Sequence, residues 1–530
     1  MEPKQNWTEL RQHSDERQIT ARAVLTDVRA GDSVVDAIRK NPLPSGGHVG
    51  KSTLVAVYRQ MIAAGEWEAD PNLFARIRMK PVRTLSGVTT VTVLTKPYPC
   101  PGECIFCPTD LRMPKSYLPD EPGAMRALHH EFDPYDQVAA RVGALQAVGH
   151  PTDKIELLVL GGTWSSYRRD YQEWFLKRCF DALNGQEAGS LQKAQELNEN
   201  TSHRNVGLVI ETRPDHVNRD ELIWLRRLGV TKVQMGAQSL DNSILALNKR
   251  GHTAEATLQA VDLLRSAGFK IVLHWMPNLL GASLESDRND FSQLWDDYCP
   301  DEIKIYPTQL LANANLHQYW LKGEYQPYTT DELIELIADI KITIPQYCRV
   351  NRIIRDIPST NVVSGNKRSS LRQDVHAEMR RRGTQCQCIR CREVRGQSVD
   401  VEGLELQRLV YPTHRSEEQF LSYVTPNNKI AGFLRLSLPT DQRPGLDMVD
   451  LQSAAIIREV HIYGQSLQLG ASDADAVQHV GLGSTLIETA QEIALQRGYQ
   501  RLAVISAIGT RKYYLDRGFE RGELYLIKSL

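Results

Sequence analysis

The sequence lacks the long apolar run that a membrane-spanning helix needs. No stretch of about eighteen apolar residues occurs, and the start of the chain lacks the basic-then-apolar pattern of a secretion leader. Neither membrane insertion nor secretion is therefore predicted. We expect a cytoplasmic protein whose 530 residues form two or three domains.

Cysteine is scarce, with nine residues in the whole chain, and six of them fall in two tight clusters. Scarce and clustered cysteines argue against a disulfide framework. They favour metal ligation in a reducing compartment instead.

Charge is nearly balanced overall, at −1, but it is unevenly distributed. Residues 341–396 hold thirteen Lys and Arg against four Asp and Glu. Such a block is either a solvated surface or the electrostatic footprint of nucleic-acid binding. We favour polyanion binding, because guanidinium groups suit phosphate geometry. The residues chosen on this ground, with one lysine from the N-terminal region, are Lys51, Arg349, Arg352, Lys367, Arg368, Arg381 and Arg382.

The first cysteine cluster is CPGECIFC, with Cys100, Cys104 and Cys107. Three thiolates spaced C-x3-C-x2-C can hold three irons of a [4Fe-4S] cluster and leave the fourth iron open. The stretch resembles the signature of the radical S-adenosylmethionine (SAM) superfamily, in which SAM chelates that open iron. A zinc knuckle is the disfavoured alternative, because only the last two cysteines form a C-x2-C pair.

Six candidate strands begin at about residue 88 and alternate with amphipathic helices. They are VTTVTVLTK, KIELLVLGGT, NVGLVIETRP, KVQMGAQS, KIVLHWMP and EIKIYPTQL. Near-continuous apolar strands with crossover helices predict a parallel sheet, and hence an α/β fold with a partial or full (β/α) barrel. The chemistry of such barrels gathers at the carboxyl ends of the strands.

Polar and glycine residues mark the predicted strand ends. Gly161, Gly162 and Thr163 resemble the glycine-rich motif that receives the SAM amino group in the superfamily, although they also suit a tight turn. Glu211 and Gln238 suit hydrogen bonds to the ribose and methionine groups of SAM, and capped loop residues are the alternative. We expect His274 to face the same cavity or to be buried by packing.

The second cysteine cluster is QCQCIRC, with Cys386, Cys388 and Cys391. Its C-x-C-x2-C spacing is compact enough for three ligands of a structural zinc. Free thiols are the alternative. The fourth ligand stays open among four candidates, which are His317, His376, Cys299 and Cys348.

The last 130 residues read as strands, a long helix, a strand and a short helix. A Q-x-x-G-x-G pattern before the long helix exposes amides that suit the pyrophosphate of coenzyme A. It resembles motif A of the Gcn5-related N-acetyltransferase fold. The resemblance implies an acetyl-CoA site formed by Gln478, His479, Val480, Gly481, Leu482, Gly483 and Ser484.

Two adjacent tyrosines, Tyr513 and Tyr514, lie where the acetyltransferase fold places a tyrosine near the thioester sulfur. Either can act as a catalytic residue that protonates the leaving thiolate or hydrogen-bonds to it, and either can contact acetyl-CoA. One of the two is expected to pack in the core, because neighbouring helical residues point about 100° apart. The loop 464–477 is equally well interpreted as a lid over the coenzyme or as an unremarkable connection.

A radical SAM barrel followed by an acetyltransferase fold resembles the Elongator protein three family over nearly the whole chain. Stretches that carry the resemblance include IETRPD, MGAQSLD, RGHT, REVHIYG, QHVGLGS and RKYYLDRGF. The resemblance implies carboxymethylation at carbon 5 of the wobble uridine in tRNA, with a [4Fe-4S] cluster, SAM and acetyl-CoA. A protein lysine acetyltransferase with a structural cluster is the competing hypothesis, and a non-catalytic RNA scaffold is a third.

The sequence departs from the eukaryotic members in two places. Their first two cluster cysteines lie further apart, so the spacing here is that of ordinary radical SAM enzymes. Their second run has a single cysteine, so the zinc prediction rests on spacing alone. We predict a basic helical tRNA-binding region at 1–80, a radical SAM domain at 81–396 and an acetyltransferase domain at 397–530, able to act without Elongator-type partner subunits.

Overall fold

The computed structural model describes residues 14–395, 399–440, 444–463 and 481–530. These residues form two compact units. One contains the chain up to Thr89 together with Ala139–Thr152, and the other contains Thr90–Val138 and Asp153–Leu530. Among the described residues, no helix combines the length and apolarity needed to cross a bilayer.

The first unit is helical, as the N-terminal periodicity predicts. Its helices are α1 (Asp15–Arg29), α2 (Val34–Lys40), α3 (Lys51–Ala63) and α4 (Pro71–Ile77). The last of these begins at a proline preceded by Asp70, whose carboxylate accepts from two backbone amides of the first turn. Leu25, Leu54 and Val57 lie in an apolar cluster between the helices.

The second unit contains a seven-stranded sheet in which every described strand pair is parallel. Its strands, in spatial order, are β1 (Thr89–Leu94), β2 (Lys154–Leu160), β3 (Arg204–Thr212), β4 (Lys232–Gln238), β5 (Lys270–Trp275), β6 (Glu302–Ile305) and β8 (Arg349–Arg352). The first six correspond to the predicted strands, so the partial barrel is confirmed. The seventh has the sequence RVNR, whose polar composition does not indicate a strand. A short antiparallel pair lies beside the sheet and consists of β7 (Leu310–Leu311) and β9 (Val362–Ser364).

Helices connect these strands and cover the sheet. They are α5 (Pro122–His129), α6 (Pro134–Ala147), α7 (Arg169–Asn184), α8 (Leu191–Asn198), α9 (Arg219–Arg227), α10 (Asn242–Leu247), α11 (Ala254–Ser266), α12 (Leu284–Gln293), α13 (Leu316–Leu321), α14 (Thr330–Lys341), α15 (Leu371–Arg381) and α16 (Ile389–Arg392). A π-helical turn, Leu294–Tyr298, extends α12. Side-chain caps fix several starts, such as the reciprocal Thr329 and Glu332 pair of α14.

A second seven-stranded sheet occupies the C-terminal part. In spatial order it contains β10 (Glu405–Pro412), β11 (Ser416–Val424), β12 (Ile430–Pro439), β13 (Ala454–Ile462), β14 (Arg501–Val504), β16 (Leu526–Ser529) and β15 (Glu520–Arg521). The first four strands are antiparallel, and β13 pairs with β14 in parallel. The predicted long and short helices are α17 (Leu482–Gln496) and α18 (Arg511–Leu515).

Buried ion pairs join the two sheets of the second unit. Arg458 on β13 is fully buried, and its guanidinium contacts both carboxylate oxygens of Asp301, which precedes β6. Lys270 at the start of β5 contacts Glu459 of β13 and lies 2.6 Å from Glu302. The acetyltransferase-like sheet therefore docks on the amino ends of the barrel strands. The domain boundaries predicted at residues 80 and 396 stay a prediction.

Candidate functional site

The predicted site residues of the barrel lie at the carboxyl ends of neighbouring strands. The cysteine loop, Cys100 to Cys107, follows β1, and Gly161 to Thr163 follow β2. Glu211 is the penultimate residue of β3, and Gln238 is the last residue of β4. Since adjacent strands are parallel, these segments converge on one mouth of the sheet.

The cysteine loop is shaped by contacts to sulfur. The amide of Gly102 donates to Cys100 Sγ at 3.4 Å, and Arg250 Nη1 lies 3.4 Å from Cys104 Sγ. Burial, with the neighbouring Cys104, raises the pKa of the Cys107 thiol to about 11. This thiol therefore ionises readily only beside a positive charge such as a metal ion.

The paired glycines lie beside this loop. Gly161 has φ +137°, and a Cβ at this position would collide with the hydroxyl of Thr95. Gly162 has φ +92°, and Thr163 Oγ1 lies 3.9 Å from Cys100 Sγ. No residue other than glycine fits at 161, which is buried, whereas Gly162 is partly exposed next to the cysteines.

Buried polar atoms in the mouth that have no partner within the described chain include Gln238 Oε1 and Arg213 Nη1. Gln238 adopts a positive φ of 70°. Arg213 is held by Asp215, at 2.9 Å for both contacts, and its unpaired nitrogen faces Gly102 in the cysteine loop. Because buried polar groups are nearly always paired, an unpaired acceptor and an unpaired donor fit a ligand such as SAM, which carries an amine and a carboxylate.

Glu211 is positioned by two side chains. Tyr117 donates to Glu211 Oε2 at 3.0 Å, and His274 Nδ1 lies 3.5 Å from Oε1. The other ring nitrogen of His274 lies 3.1 Å from Gln234 Oε1, inside the barrel. Burial, with nearby Lys304, lowers the pKa of His274 well below its ordinary value. The neutral imidazole is therefore favoured, and its single N–H can donate to only one of these two oxygens.

The second cysteine cluster is compact. The Sγ atoms of Cys386, Cys388 and Cys391 all lie within 4.8 Å of one another, a property that no other cysteine triad among the described residues shares. Thiols around a single ion lie close together, whereas the thiolates of a four-iron cluster bind different irons and lie further apart. Hydrogen bonds from the other two thiols lower the pKa of Cys388 well below its ordinary value.

The surroundings narrow the choice of a fourth ligand. Cys348 and His376 both interact electrostatically with Cys388. The other two candidates are engaged elsewhere, because Cys299 Sγ lies 3.3 Å from the carbonyl oxygen of Trp295 and His317 stacks on Trp320. Lys341 is fully buried close to the cluster.

The residues chosen for polyanion binding fall in different environments. Lys367 is exposed, and the side chain of Arg381 is 73% exposed. Arg352 and Arg368 pair with Asp356 and Asp374, whereas Arg382 pairs with Glu378 and Asp339. Arg349 donates to Glu393 and to the Tyr463 hydroxyl, both at 2.9 Å. Lys51 donates to the carbonyl of Arg76. RNA binding by these residues stays a prediction.

The acetyltransferase-like site centres on the start of α17. Gln478, His479, Val480 and the loop 464–477 lie outside the described residues. Gly481 caps the helix with φ +79°, and Leu482, Gly483 and Ser484 form its first turn. Arg517 Nε and Nη2 donate to Ser484 Oγ at 3.0 and 2.9 Å, and the guanidinium lies 3.6 Å from the ring centre of Tyr513.

The two tyrosines occupy different surroundings. Tyr513 is partly exposed, and its hydroxyl faces Gly483 in the first turn of α17. Tyr514 is buried in the apolar cluster with Phe519 and Leu486. The geometry therefore favours Tyr513 as the residue that meets a coenzyme, while Tyr514 packs in the core.

Several residues of the mouth were not among the predicted site residues, although Arg213 and Arg250 belong to the family stretches IETRPD and RGHT. Tyr117, Arg213, Arg250 and Lys304 lie at irregular spacing, and the contacts that bring them together depend on the folded chain. Arg355 belongs to the basic stretch, yet it is partly buried and donates to Ser116 and Glu121. Only the alternation of the strands hinted that Lys304 faces inward.

Comparison with known proteins gives two matching family models. Residues 98–289 match the Radical SAM superfamily, and residues 300–381 match the Radical_SAM C-terminal domain. A tRNA uridine(34) acetyltransferase of Methanocaldococcus jannaschii is 42% identical over 471 residues, covering 86% of each chain. That of Dehalococcoides mccartyi is 42% identical over 454 residues, covering 84% of this chain and 99% of its own. Elongator complex protein 3 of Homo sapiens is 34% identical, covering 86% and 87%.

A solved structure resembles the whole architecture. The archaeal Methanocaldococcus infernus Elp3 with an N-terminal deletion aligns with a TM-score of 0.74 at 38% identity, covering 84% of this chain and 99% of that one. The likeness therefore supports the combination of the two folds in one chain.

Proposed function

The chain belongs to the family of the tRNA uridine(34) acetyltransferases and Elongator complex protein 3, and we propose that it modifies the wobble uridine of tRNA. In this proposal acetyl-CoA supplies a two-carbon unit, and the product is a carboxymethyl group at carbon 5 of the base. The names of the relatives support the target nucleoside. The carboxymethyl product rests on the family resemblance of the sequence.

The observation that carries the proposal is the mouth at the carboxyl ends of the barrel strands. Cys100, Cys104 and Cys107 would hold the [4Fe-4S] cluster. When bound, the cluster and SAM supply a 5′-deoxyadenosyl radical, which suits carbon-carbon bond formation at a base carbon that is a poor nucleophile. Around it, the partly exposed backbone at Gly162 and the unpaired Gln238 Oε1 would bind the methionine part of SAM.

Glu211 would bind the ribose hydroxyls of SAM. Its carboxylate already accepts from Tyr117 and contacts His274, and the neutral imidazole keeps it aligned without neutralising its charge. A carboxylate held by two side chains loses little conformational entropy when a ligand binds.

On the acetyltransferase side, the amides at the start of α17 would bind the pyrophosphate of acetyl-CoA. Tyr513 faces this turn, and Arg517 lies on its ring, so its hydroxyl is the better placed of the two tyrosines to hydrogen-bond the thioester sulfur. The acetyl acceptor would be RNA rather than a lysine.

A structural zinc on Cys386, Cys388 and Cys391 is the remaining part of the proposal, with Cys348 or His376 as the fourth ligand. The closely spaced thiols support it. Metal analysis of the purified protein checks it: wild type should hold about one zinc per chain, and Cys388→Ala should hold much less. Equal zinc content in the two proteins would refute the site.

The target base must leave its loop to reach the mouth, as is usual for enzymes that modify bases. We expect the purified chain alone to bind tRNA with salt-sensitive affinity, without partner subunits. Binding that requires other subunits would count against this. Mature tRNA and reduced thiols both belong to the cytoplasm, where we expect the protein to act.

The decisive experiment incubates anaerobically reconstituted protein with acetyl-CoA, SAM, a reductant and tRNA, and analyses the nucleosides by mass. Carboxymethyluridine is the expected product. Cys104→Ala should abolish it and leave tRNA binding mostly intact, whereas Cys179→Ala, a buried cysteine of α7, should retain activity. Acetylated lysines in place of modified uridine would establish the competing protein acetyltransferase.

A further inference from the structure

Four aromatic rings form a continuous row beside the cysteine loop, and we name Tyr98, Tyr167, Tyr171 and Trp174 the aromatic row. Ring centres lie 4.7 Å apart for the first pair, 5.2 Å for the second and 5.6 Å for the third. Tyr98 stands two residues before Cys100, and the last two members lie in the first turns of α7, shortly after Thr163. The row therefore runs along the rim of the mouth at the β1 edge of the sheet.

The inner members of the row are held rigidly. The Tyr167 hydroxyl lies 2.8 Å from Thr95 Oγ1, 2.8 Å from the carbonyl oxygen of Lys96 and 3.2 Å from that of Gly161. The Tyr171 hydroxyl accepts from the amide of Lys96 at 3.1 Å. The row is thus anchored to the glycine turn beside the cysteines and needs little reorganisation to bind a ligand.

Both ends of the row are exposed to solvent. Tyr98 is 37% exposed and Trp174 is 44% exposed, and they are the only aromatic side chains among the large exposed apolar residues of the described chain. Exposed aromatic rings next to an active-site mouth indicate a binding surface more often than a packing requirement.

A cation accompanies the rings. Lys96 is exposed, and its Nζ lies 4.7 Å from the ring centre of Tyr171. The nearby carboxylate of Asp170 is paired with Arg168 at 2.5 Å. Exposed rings beside a cation that forms no ion pair with the described residues suit a ligand that combines flat bases with phosphates. An apolar peptide surface would gain nothing from the lysine.

We propose that Tyr98 and Trp174 stack on unpaired bases of the anticodon loop that flank the target uridine, while Lys96 contacts the backbone phosphate. This inference rests on the proposed function and adds the surface that holds the loop while one base enters the mouth. Single-stranded RNA is commonly held by such stacking platforms, which tolerate any base because every base has a π-face.

The test measures binding of a fluorescein-labelled anticodon stem-loop RNA to the anaerobically reconstituted full chain by fluorescence anisotropy. The double variant Tyr98→Leu/Trp174→Leu removes the rings and keeps apolar bulk, and we expect it to bind at least about tenfold more weakly. The variant Tyr98→Phe/Trp174→Phe keeps rings and should bind within about twofold of wild type. Leu495→Ala, an exposed residue of α17, is the control.

A second probe separates stacking from general attraction. A fully paired RNA duplex with the sequence of the stem should bind wild type and the leucine variant equally, because only the loop of the stem-loop RNA offers unpaired bases. A 2-aminopurine base next to the target uridine should lose fluorescence on binding wild type and the phenylalanine variant, but less on binding the leucine variant.

Wild-type affinity of the leucine variant for the stem-loop would overturn the inference, as would equal losses in the phenylalanine and leucine variants. Altered sedimentation of the leucine variant without RNA would assign the row to a protein contact instead. If wild type modifies tRNA while the leucine variant binds normally, this inference alone fails. If wild type neither binds nor modifies tRNA, the proposed function fails with it.

Discussion

Replacing Arg458 by methionine tests the buried ion pairs that join the two sheets. The guanidinium is fully buried, lies 2.9 Å from Asp301 Oδ1 and 3.0 Å from Glu418 Oε2, and donates to the carbonyl of Phe269 at 3.1 Å. Removal of one partner from a buried pair costs about 3–5 kcal/mol, because the other charge is left uncompensated.

The expected loss lies at the low end of that range. Asp301 keeps Arg435 Nη1 at 3.4 Å, and Glu418 keeps Arg265 Nη1 at 3.8 Å. Each carboxylate therefore retains one cation, and we expect the free energy of unfolding to fall by about 3 kcal/mol.

Glu417, the neighbour of Glu418 on β11, supplies a matched control. Glu417 pairs with Arg497 at 2.9 Å, but their side chains are 31% and 47% exposed. Arg497→Met should cost at most about 1 kcal/mol, as for other solvent-exposed pairs. Urea titrations followed by circular dichroism, under identical conditions, give the two midpoints and the difference in stability.

Two outcomes would refute the reasoning. One is that Arg458→Met and Arg497→Met shift the midpoint equally. The other is that Asp301→Asn added to Arg458→Met lowers the stability by the full sum of the two single changes, since removal of both partners should cost less than that sum.

Three further changes test the sites and one buried carboxyl. Gly161→Ala should lower SAM affinity at least about tenfold in equilibrium binding, because both its positive φ and the neighbouring threonine hydroxyl exclude a Cβ. The control is Gly189→Ala, where a Cβ would meet no other atom, and this variant should bind SAM like wild type. Tyr513→Phe should weaken acetyl-CoA turnover at unchanged thermal stability, whereas Tyr514→Ala should cost about 3–5 kcal/mol of stability as a core truncation; the reverse pattern would exchange their roles. Burial raises the pKa of Asp287 to about 7, so the folded state keeps a proton that the unfolded state has lost, and stability falls as the pH rises from about 4 through 7; Asp287→Asn should therefore gain stability relative to wild type over that same range in urea titrations, by at most about 1.4 kcal/mol per pH unit, and a constant difference would contradict it.

The apolar strands could be predicted because burial on both faces leaves a continuous signal in the sequence. Val91, Leu157 and Val233 are examples, since each is fully buried. The strand Arg349–Arg352 carries no such signal. Its arginines form ion pairs with Glu393 and Asp356. These charged residues give no apolar pattern of the kind that marks the neighbouring strands.

The site was predictable to the extent that it lies at strand ends. Parallel topology alone brings Gly161, Glu211 and Gln238 to one mouth once the strands are identified. Tyr117 could not be found in this way, because its role depends on a contact across a long sequence separation. The choice between the two tyrosines likewise required the packing around Phe519, which only the folded chain provides.

The direction of docking sets a constraint on the proposed reaction. Contacts to the acetyltransferase-like sheet are made by residues at or before the starts of the barrel strands, such as Lys270 with Glu459 and Asp301 with Arg458. The cysteine mouth lies at the opposite ends, and a strand of six residues, as in β5, is about 20 Å long. The acetyl unit or the RNA must therefore cover a distance of at least that order between the two sites.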